Sequence, residues 1–319
     1  MDAALICRQY TDHEILSVTA FGGGHINDTF LAVTDGGRYV LQRLQPRMYV
    51  DALVYGYRLW SKVFCENGWL CPIWLTDKDG GYIYTDPDGD RWRMYPFIDG
   101  DILSSPLTRD ELYACGQGIA RIHMMLGSLD ERPQAVYPRL HDLGWYYDRY
   151  QQILCSGRIC EENRDRDIEG YIRSCIHRHL AYVPSSVAVV HGDMKLANML
   201  FRDGRMVGSL DHDTVMPGSR AEDVADCIRS CCISDGMPDL PSAKALLKGY
   251  TDTASHDAAD EVMREISAAF GKICFELALR YYTDAISQEG HFKESYPGCR
   301  LERARALITV CDHIKRGSV

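Results

Sequence analysis

Asp193, Lys195 and Asn198 follow a short apolar run at fixed offsets in the segment VVHGDMKLANMLF, and Asp211 comes further on in SLDHD. This is the set that phosphoryl transfer needs. A transferring phosphoryl group calls for a carboxylate to orient and deprotonate the acceptor hydroxyl, a cation beside the phosphate oxygens, and hard oxygen ligands for magnesium. Asp193 fits the base, Lys195 the cation, and Asn198 with Asp211 the metal ligands. An isolated His-Gly-Asp would read as a surface turn whose aspartate bonds nearby backbone N–H groups. The D-x-K-x-x-N spacing, joined to a later D-x-D, turns the reading towards catalysis.

Elements of the chain must hold these groups in place. Residues 187–190 predict a strand that delivers the loop, and 206–210 a second strand ending at Asp211, so that both carboxylates emerge at one mouth. Strand alternation would turn His212 away from the metal side. Met216-Pro217-Gly218 reads as a turn that leads into a helix opening near Glu222.

HGDMKLANMLF followed by SLDHDTVMPGSRAEDVAD resembles the aminoglycoside phosphotransferase and choline kinase superfamily, whose fold is like that of protein kinases. FGGGHINDTFLAVTDGGRYVLQRL is similar to the glycine-rich hairpin of the N-acetylhexosamine 1-kinases within it. LDHDTVMPGS resembles their metal-binding turn, and FELALRYYTDAISQEGHF a helix that lines their sugar pocket. The likeness runs in order along about the whole chain; HGD marks the superfamily, while GHIN and DTVMPG narrow it to that branch.

The resemblance implies an α+β, bilobal, protein-kinase-like fold. A small antiparallel-sheet N-terminal lobe (1–98) would bind nucleotide, and a larger, mainly helical C-terminal lobe (99–319) would carry catalysis and substrate. It implies ATP and Mg2+ as cofactors and the anomeric oxygen of an N-acetylhexosamine or related sugar as acceptor, faced by Asp193, His25 and Arg280. Asp223, in a DVAD segment, would brace the catalytic loop, with His191 and Asp213 in support. The rival enzyme class is a choline, amino-alcohol or aminoglycoside kinase, whose cationic acceptors want carboxylates or aromatic faces; Arg280 weighs against it. A catalytically inactive nucleotide-binding pseudokinase is the alternative of another class, and intact Asp193, Asn198 and Asp211 weigh against that.

Nearer the N-terminus, Gly22, Gly23 and Gly24 lie between two strand-like runs, with Asn27 just beyond. Glycine lacks the Cβ that would collide with a phosphate, so this hairpin can approach one closely. Kinase folds place a lysine on the next strand to hold the phosphates. Here that strand reads YVLQRL, with Gln42 in the lysine's column and Arg43 on the opposite face by the period of two, unless Arg43 bends inward to replace it. The helix predicted over 51–64 has no internal glutamate, in keeping with the missing lysine. Strands are predicted at 82–84 and 91–97, and the break at Pro96-Phe97-Ile98-Asp99-Gly100 reads as the hinge, with Met94, Tyr95, Phe97 and Ile98 as adenine-binding candidates.

In the second half, Thr108 and Glu111 form a capping box ahead of a helix that carries His123, read as structural. Trp145, Tyr146, Tyr147 and Tyr150 could stack on a sugar or fill a core, and 171–180 reads as a helix flanked by charge. Glu276 and Arg280, four apart on the helix predicted over 257–287, share a face. His291 stands where the resembling branch has an aromatic hydroxyl.

Composition sets outer bounds. At 319 residues the chain can fill two cores, and 46% apolar with 25% charged residues is ordinary for a globular protein. A formal net charge of −10 without a basic run argues against a nucleic-acid partner, leaving a small molecule. The 13 cysteines are odd in number and show no C-x-x-C, so reduced, mostly buried thiols are expected, and no zinc-ligand spacing accompanies Cys227 and Cys231. The start MDAALICRQYTD lacks the features of a secretory signal and no run reaches membrane-spanning length, so a cytoplasmic protein without a membrane partner is expected.

Overall fold

The computed structural model describes residues 2–22, 27–234 and 236–315, so Gly23, Gly24 and His25 lie outside the described residues. Two compact units divide the chain, Met1–Gly100 and Asp101–Val319.

The first unit runs α1 (Ala3–Cys7), β1 (Ile15–Ala20), β2 (Asp28–Thr34), β3 (Gly37–Arg43), α2 (Val50–Glu66), β4 (Tyr84–Thr85) and β5 (Arg91–Pro96). Its strands form one antiparallel sheet in the order β1-β2-β3-β5-β4. The register sets Thr29 opposite Gln42 and Gln42 opposite Arg93, while Asp28 meets Arg43 and Arg43 meets Trp92. Side chains alternate between faces, so Phe30, Leu41, Trp92 and Met94 share one face and pack there with Ile6, Cys7 and Tyr10. Gln42 and Arg93 take the other. The strand expected at 82–84 is paired only over Tyr84–Thr85.

The second unit holds α3 (Arg109–Gly127), α4 (Leu143–Ser156), α5 (Arg166–Leu180), β6 (Ala188–Val190), β7 (Met199–Arg202), β8 (Arg205–Ser209), β9 (Met216–Gly218) and α6 (Arg220–Cys231). It continues through β10 (Ile233–Ser234), β11 (Met237–Pro238), α7 (Leu240–Thr251), α8 (His256–Ser287) and α9 (Cys299–Lys315). Thr108 and Glu111 close a reciprocal capping box on α3. The helix expected from 171 starts earlier, at Arg166, because the Asp165 carboxylate accepts from Asp167 N and Ile168 N and caps it there, while Glu161, Glu162 and Arg164 flank it as expected.

Met216-Pro217-Gly218 is not a turn but β9, paired antiparallel with β6. The chain reverses earlier, through Asp211 at φ 59 and a 3-10 turn over His212–Thr214. Proline is tolerated in so short a two-stranded pair, where half the N–H groups face no partner.

All 13 cysteines are free and most are buried. Cys115 of α3 joins Cys227 and Cys231 of α6 with the three sulfurs within 4.8 Å of one another. Burial pushes the Cys227 thiol well up, whereas hydrogen bonds from Cys115 and Cys227 bring Cys231 down. Among the described residues, no helix is long and apolar enough to cross a membrane.

Candidate active site

β6 ends at Val190 and releases the chain into His191-Gly192-Asp193. Gly192 has φ +81, and a Cβ there would lie 2.5 Å from the Thr214 carbonyl, so both conformation and space demand glycine. Asp223 of α6 fixes the loop from behind, accepting from His191 N at 2.7 Å and Gly192 N at 2.8 Å. His123 of α3 holds that carboxylate from the other side at 3.1 Å, and its second ring nitrogen meets the Tyr250 hydroxyl at 2.9 Å. Burial alone would raise Asp223; the bond from His123 and the charges around it outweigh burial and keep it below the usual carboxylate range. His123 is thus structural in a specific sense, as the brace of a brace.

His191 is lowered by burial and therefore neutral. Its Nε2 lies 3.0 Å from Leu210 O, which assigns the proton to Nε2, and its Nδ1 accepts from Asp193 N at 3.4 Å. This ring ties the loop to the residue before Asp211.

The Asp193 carboxylate takes Lys195 Nζ at 2.6 Å and Asn198 Nδ2 at 3.2 Å on the same oxygen. Burial works against both charges of the pair, yet each holds the other ionised: Asp193 ends below its ordinary value and Lys195 above. Their side chains keep 24% and 32% exposure, enough for a substrate to reach them. Asn198 Nδ2 also donates to Asp193 O at 2.8 Å, which fixes the amide flip and turns Oδ1 the other way. Leu210 N donates to Asn198 O at 2.8 Å, holding the approach to Asp211 beside Asn198. The atoms that Asn198 and Asp211 could offer an ion are oxygens, the set that magnesium prefers.

His212 does not follow strand alternation, because β8 ends at Ser209 and the backbone turns left-handed at Asp211. Its Nε2 bonds Ser209 Oγ at 2.8 Å, and both His212 and Asp213 are buried in the 3-10 turn.

A second group of charges lies against the loop. His141, at φ 62, places Nε2 2.9 Å from Gly192 O and Nδ1 3.2 Å from Glu276 of α8. Lys272, one turn before Glu276, sits 3.0 Å from both Glu222 and Glu276 and donates to His141 O at 2.7 Å. The Lys272 contact to Glu276 Oε2 is an ion pair without hydrogen-bond alignment. Burial would raise Glu276, but Lys272 and then His141 bring it down to about 2. Burial likewise opposes charge on His141, and Glu276 overrides it, raising the imidazole to about 9. At neutral pH His141 is therefore a cation that donates from both nitrogens.

Arg280 lies next along α8, 3.8 Å from Glu276 and 26% exposed. Its guanidinium stands 4.8 Å from the Tyr146 ring and 5.4 Å from the Phe292 ring, and Asp193 is among the charges that favour its ionised form. The aromatic group in α4 therefore splits: Tyr146 serves this site, whereas Tyr150 is buried against Tyr282. His291 bonds Asp284 through its backbone N–H and Glu289 through its ring. The aromatic at Arg280 is the next residue, Phe292, which sequence reasoning missed along with His141, Glu222 and Lys272. Only Lys272 left a signal, at four residues from Glu276 on one helix face.

In the first unit, Gln42 Oε1 accepts from Arg93 Nε at 2.9 Å and Nη2 at 2.7 Å, and Gln42 Nε2 donates to Thr29 Oγ1 at 3.1 Å. Arg43 does not bend towards Gln42; it pairs with Asp28 at 2.6 Å and Asp90 at 3.0 Å on the opposite face. Gly22, at φ +73, opens the glycine run, and Asn27 Oδ1 accepts from Gln45 N at 3.1 Å, stapling the far side of the hairpin. Met94 is fully buried in the core beside Leu41 and Trp92, so its side chain cannot line a base pocket. Tyr95 lies on the Gln42 face. Phe97 N donates to Arg38 O at 2.9 Å, which carries the pairing past Pro96, so the strand breaks at the half-buried Ile98.

The model of the APH phosphotransferase enzyme family matches residues 17–262. Homoserine kinase of Rhizobium meliloti (strain 1021) is 27% identical over 252 residues, covering 75% of this chain and 72% of that protein. The solved structure of a microcompartment-associated aminopropanol kinase aligns with a TM-score of 0.73 at 15% identity, over 99% of this chain and 98% of that one. Amicoumacin kinase hAmiN, in complex with AMP-PNP, Ca2+ and Ami, gives a TM-score of 0.67 at 13% identity, over 97% and 93%. At such identities the solved structures speak for the fold, which is kinase-like, with an antiparallel-sheet N-terminal region and a helical C-terminal region. Because the family model spans most of the chain, including the loop that carries Asp193, Lys195 and Asn198, this protein belongs to the APH phosphotransferase enzyme family and is a small-molecule kinase.

Proposed function

We propose that this kinase uses ATP and Mg2+ to phosphorylate a hydroxyl of a small acceptor rich in oxygen, with Asp193 receiving the hydroxyl proton. Asp193 is held ionised by Lys195 and is always ready to accept. A depressed carboxylate is a weak base, which suits a loose transition state in which the proton leaves late and positioning matters more than basicity. Asn198 and Asp211 would hold the ion, which when bound neutralises charge on the phosphate oxygens. Lys195 adds a fixed positive charge beside Asp193, and Asp223 with His123 keeps the loop from shifting. On the nucleotide side, Gly22, Asn27, Gln42, Tyr95, Phe97 and Ile98 remain the candidates.

The observation that carries the acceptor class is Arg280, a guanidinium between Tyr146 and Phe292. A cation there repels a purely cationic acceptor such as choline and attracts carboxylate, carbonyl or hydroxyl oxygens. A hydroxy amino acid of the homoserine kind meets this requirement, its carboxylate on Arg280 and its hydroxyl at Asp193, and the homoserine kinases among the relatives support this reading. An N-acetylhexosamine is the second reading, supported by the GHIN, DTVMPG and FELALRYYTDAISQEGHF segments and by aromatic rings suited to a sugar face.

The test is a panel of homoserine, aminopropanol, choline, N-acetylglucosamine and N-acetylgalactosamine with MgATP, the product read by 31P NMR. Phosphate on homoserine or on an anomeric oxygen is expected, with Arg280→Met raising the acceptor KM by about 10- to 100-fold. Turnover of choline or aminopropanol alone, indifferent to Arg280, would overturn the acceptor class.

A further inference from the structure

The sequence lacks the strand lysine that other kinase folds use on the phosphates, and the structure offers a group in its place. We propose that Arg93 of β5 supplies this missing cation, acting with the Gln42 amide as a two-residue ligand for the phosphates of ATP. The proposal rests on the ATP-dependent reading above.

Register comes first. Gln42 and Arg93 are directly opposed across β3 and β5, so their side chains share one face at cross-strand distance. The arginine fork grips one oxygen, with Nε at 2.9 Å and Nη2 at 2.7 Å from Gln42 Oε1. A glutamine amide can point either way, but this grip consumes its acceptor and settles the flip. The Nε2 hydrogens are thereby turned towards Thr29, on the strand that leaves the glycine run. The result is an N–H donor backed by a guanidinium, both suited to an anion.

The anchoring of Arg93 explains the second departure from the expected pattern. A flexible lysine needs a carboxylate to hold it in place, and α2 has acids only at its ends, Asp51 and Glu66. Arg93 is 3% exposed and lies over the Trp74 ring at 4.8 Å. Trp74 in turn stacks on Tyr57 of α2 at 4.0 Å with the rings 4° apart. An aromatic pair can hold a guanidinium through cation–π attraction, which it does less well for a strongly hydrated ammonium. The loss of the lysine and the loss of its glutamate are then one substitution: an ammonium held by a carboxylate gives way to a guanidinium held by an amide and a ring. Arg43, the other candidate, is engaged with Asp28 and Asp90 on the far face.

The experiment compares the full-length wild type with Arg93→Met, Gln42→Glu and the double variant Gln42→Lys/Arg93→Met, measuring MgATP binding by calorimetry, steady-state kinetics and melting. Arg93→Met is expected to raise Kd and KM for ATP at least about tenfold, with a much smaller change in acceptor KM. The double variant puts a lysine back in the column and should return ATP affinity to within about threefold of wild type, a rescue that a purely structural arginine would not give. Wild-type ATP affinity in a folded Arg93→Met protein would overturn the proposal, as would a folded double variant without recovery. Should Arg93→Met fail to fold, Gln42→Glu decides: it keeps a partner for Arg93 but turns the donor into an anion, so unchanged ATP affinity would refute the assignment. Absence of ATP binding by the wild type would instead sink the ATP-dependent reading itself.

Discussion

Two groups of charge meet at Gly192 and differ in almost every respect. On one side are Asp193, Lys195 and Asn198, neighbours in the chain, with the ion pair left about a quarter to a third exposed. On the other are His141, Glu222, Lys272 and Glu276, brought together from three separate segments, with side-chain exposures of 16%, 11%, 6% and 2%. The first group keeps its charges within reach of a substrate. The second spends its charges on one another and fixes the backbone through His141 Nε2 on Gly192 O. In the proposed mechanism local, open charge serves the chemistry, whereas distant, closed charge sets the geometry in which it would occur.

Substitutions can break the contrast by showing the wrong kind of loss. Asp211→Asn should cost the most, lowering kcat by about 10^3- to 10^4-fold with little change in melting temperature, because it removes a proposed metal ligand rather than a packing contact. Activity measured across a magnesium titration checks it. A large fall in melting temperature with normal kcat would place Asp211 on the structural side.

Lys272→Met probes the buried group and should act in the opposite way. Glu222 and Glu276 would each lose a cation at about 3 Å, and breaking a buried pair typically costs roughly 3–5 kcal/mol. Denaturant unfolding would measure the loss, and adding Glu222→Gln should recover part of it by removing one uncompensated charge. Unchanged stability would mean that water already screens this group.

Lys195→Ala sharpens the comparison from the catalytic side. A drop in kcat of about 10^2-fold is expected, together with a rise of the acidic limb of the pH–rate profile, since Asp193 loses the cation that depresses it. Steady-state kinetics across pH would show both, and a near-normal rate would shift that work to other cations.

The smallest effect is a pH dependence of stability. His141 is raised to about 9 in the folded protein from an ordinary value of 6.5. Its contribution is therefore complete below the unfolded value and declines as pH rises through about 9. Wild-type melting temperature should fall over that window at constant ionic strength, and the fall should flatten in His141→Gln. Identical slopes would show that His141 is not the titrating group.

How much of this could be read in the sequence follows from the same contrast. The proximity of Asp193, Lys195 and Asn198 was legible because it follows from spacings of two to five residues that survive without knowledge of the fold. The buried group was not, since nothing in a one-dimensional pattern links His141 or Glu222 to α8. Strand parity was available but underused: Met94 and Tyr95 cannot both face one side of β5, and Met94 shares its face with Trp92 and the core. Pro217 misled for a physical reason, as a proline beside glycine signals a turn while the true reversal uses a left-handed aspartate, Asp211, which no local residue preference announces. Phe292 was missed by a single residue because the chain beyond α8 is irregular, and helical spacing cannot be carried through it.

Asp193→Asn gives the most direct measurement, with acceptor phosphorylation followed in a single turnover and MgATP binding followed by calorimetry on the same preparation. The expected result is nucleotide affinity within a few-fold of wild type and phosphoryl transfer slowed by at least about 10^2- to 10^4-fold, the range for loss of a general base. Transfer at close to the wild-type rate in this variant would contradict the role of Asp193 and, with it, the catalytic assignment of the loop.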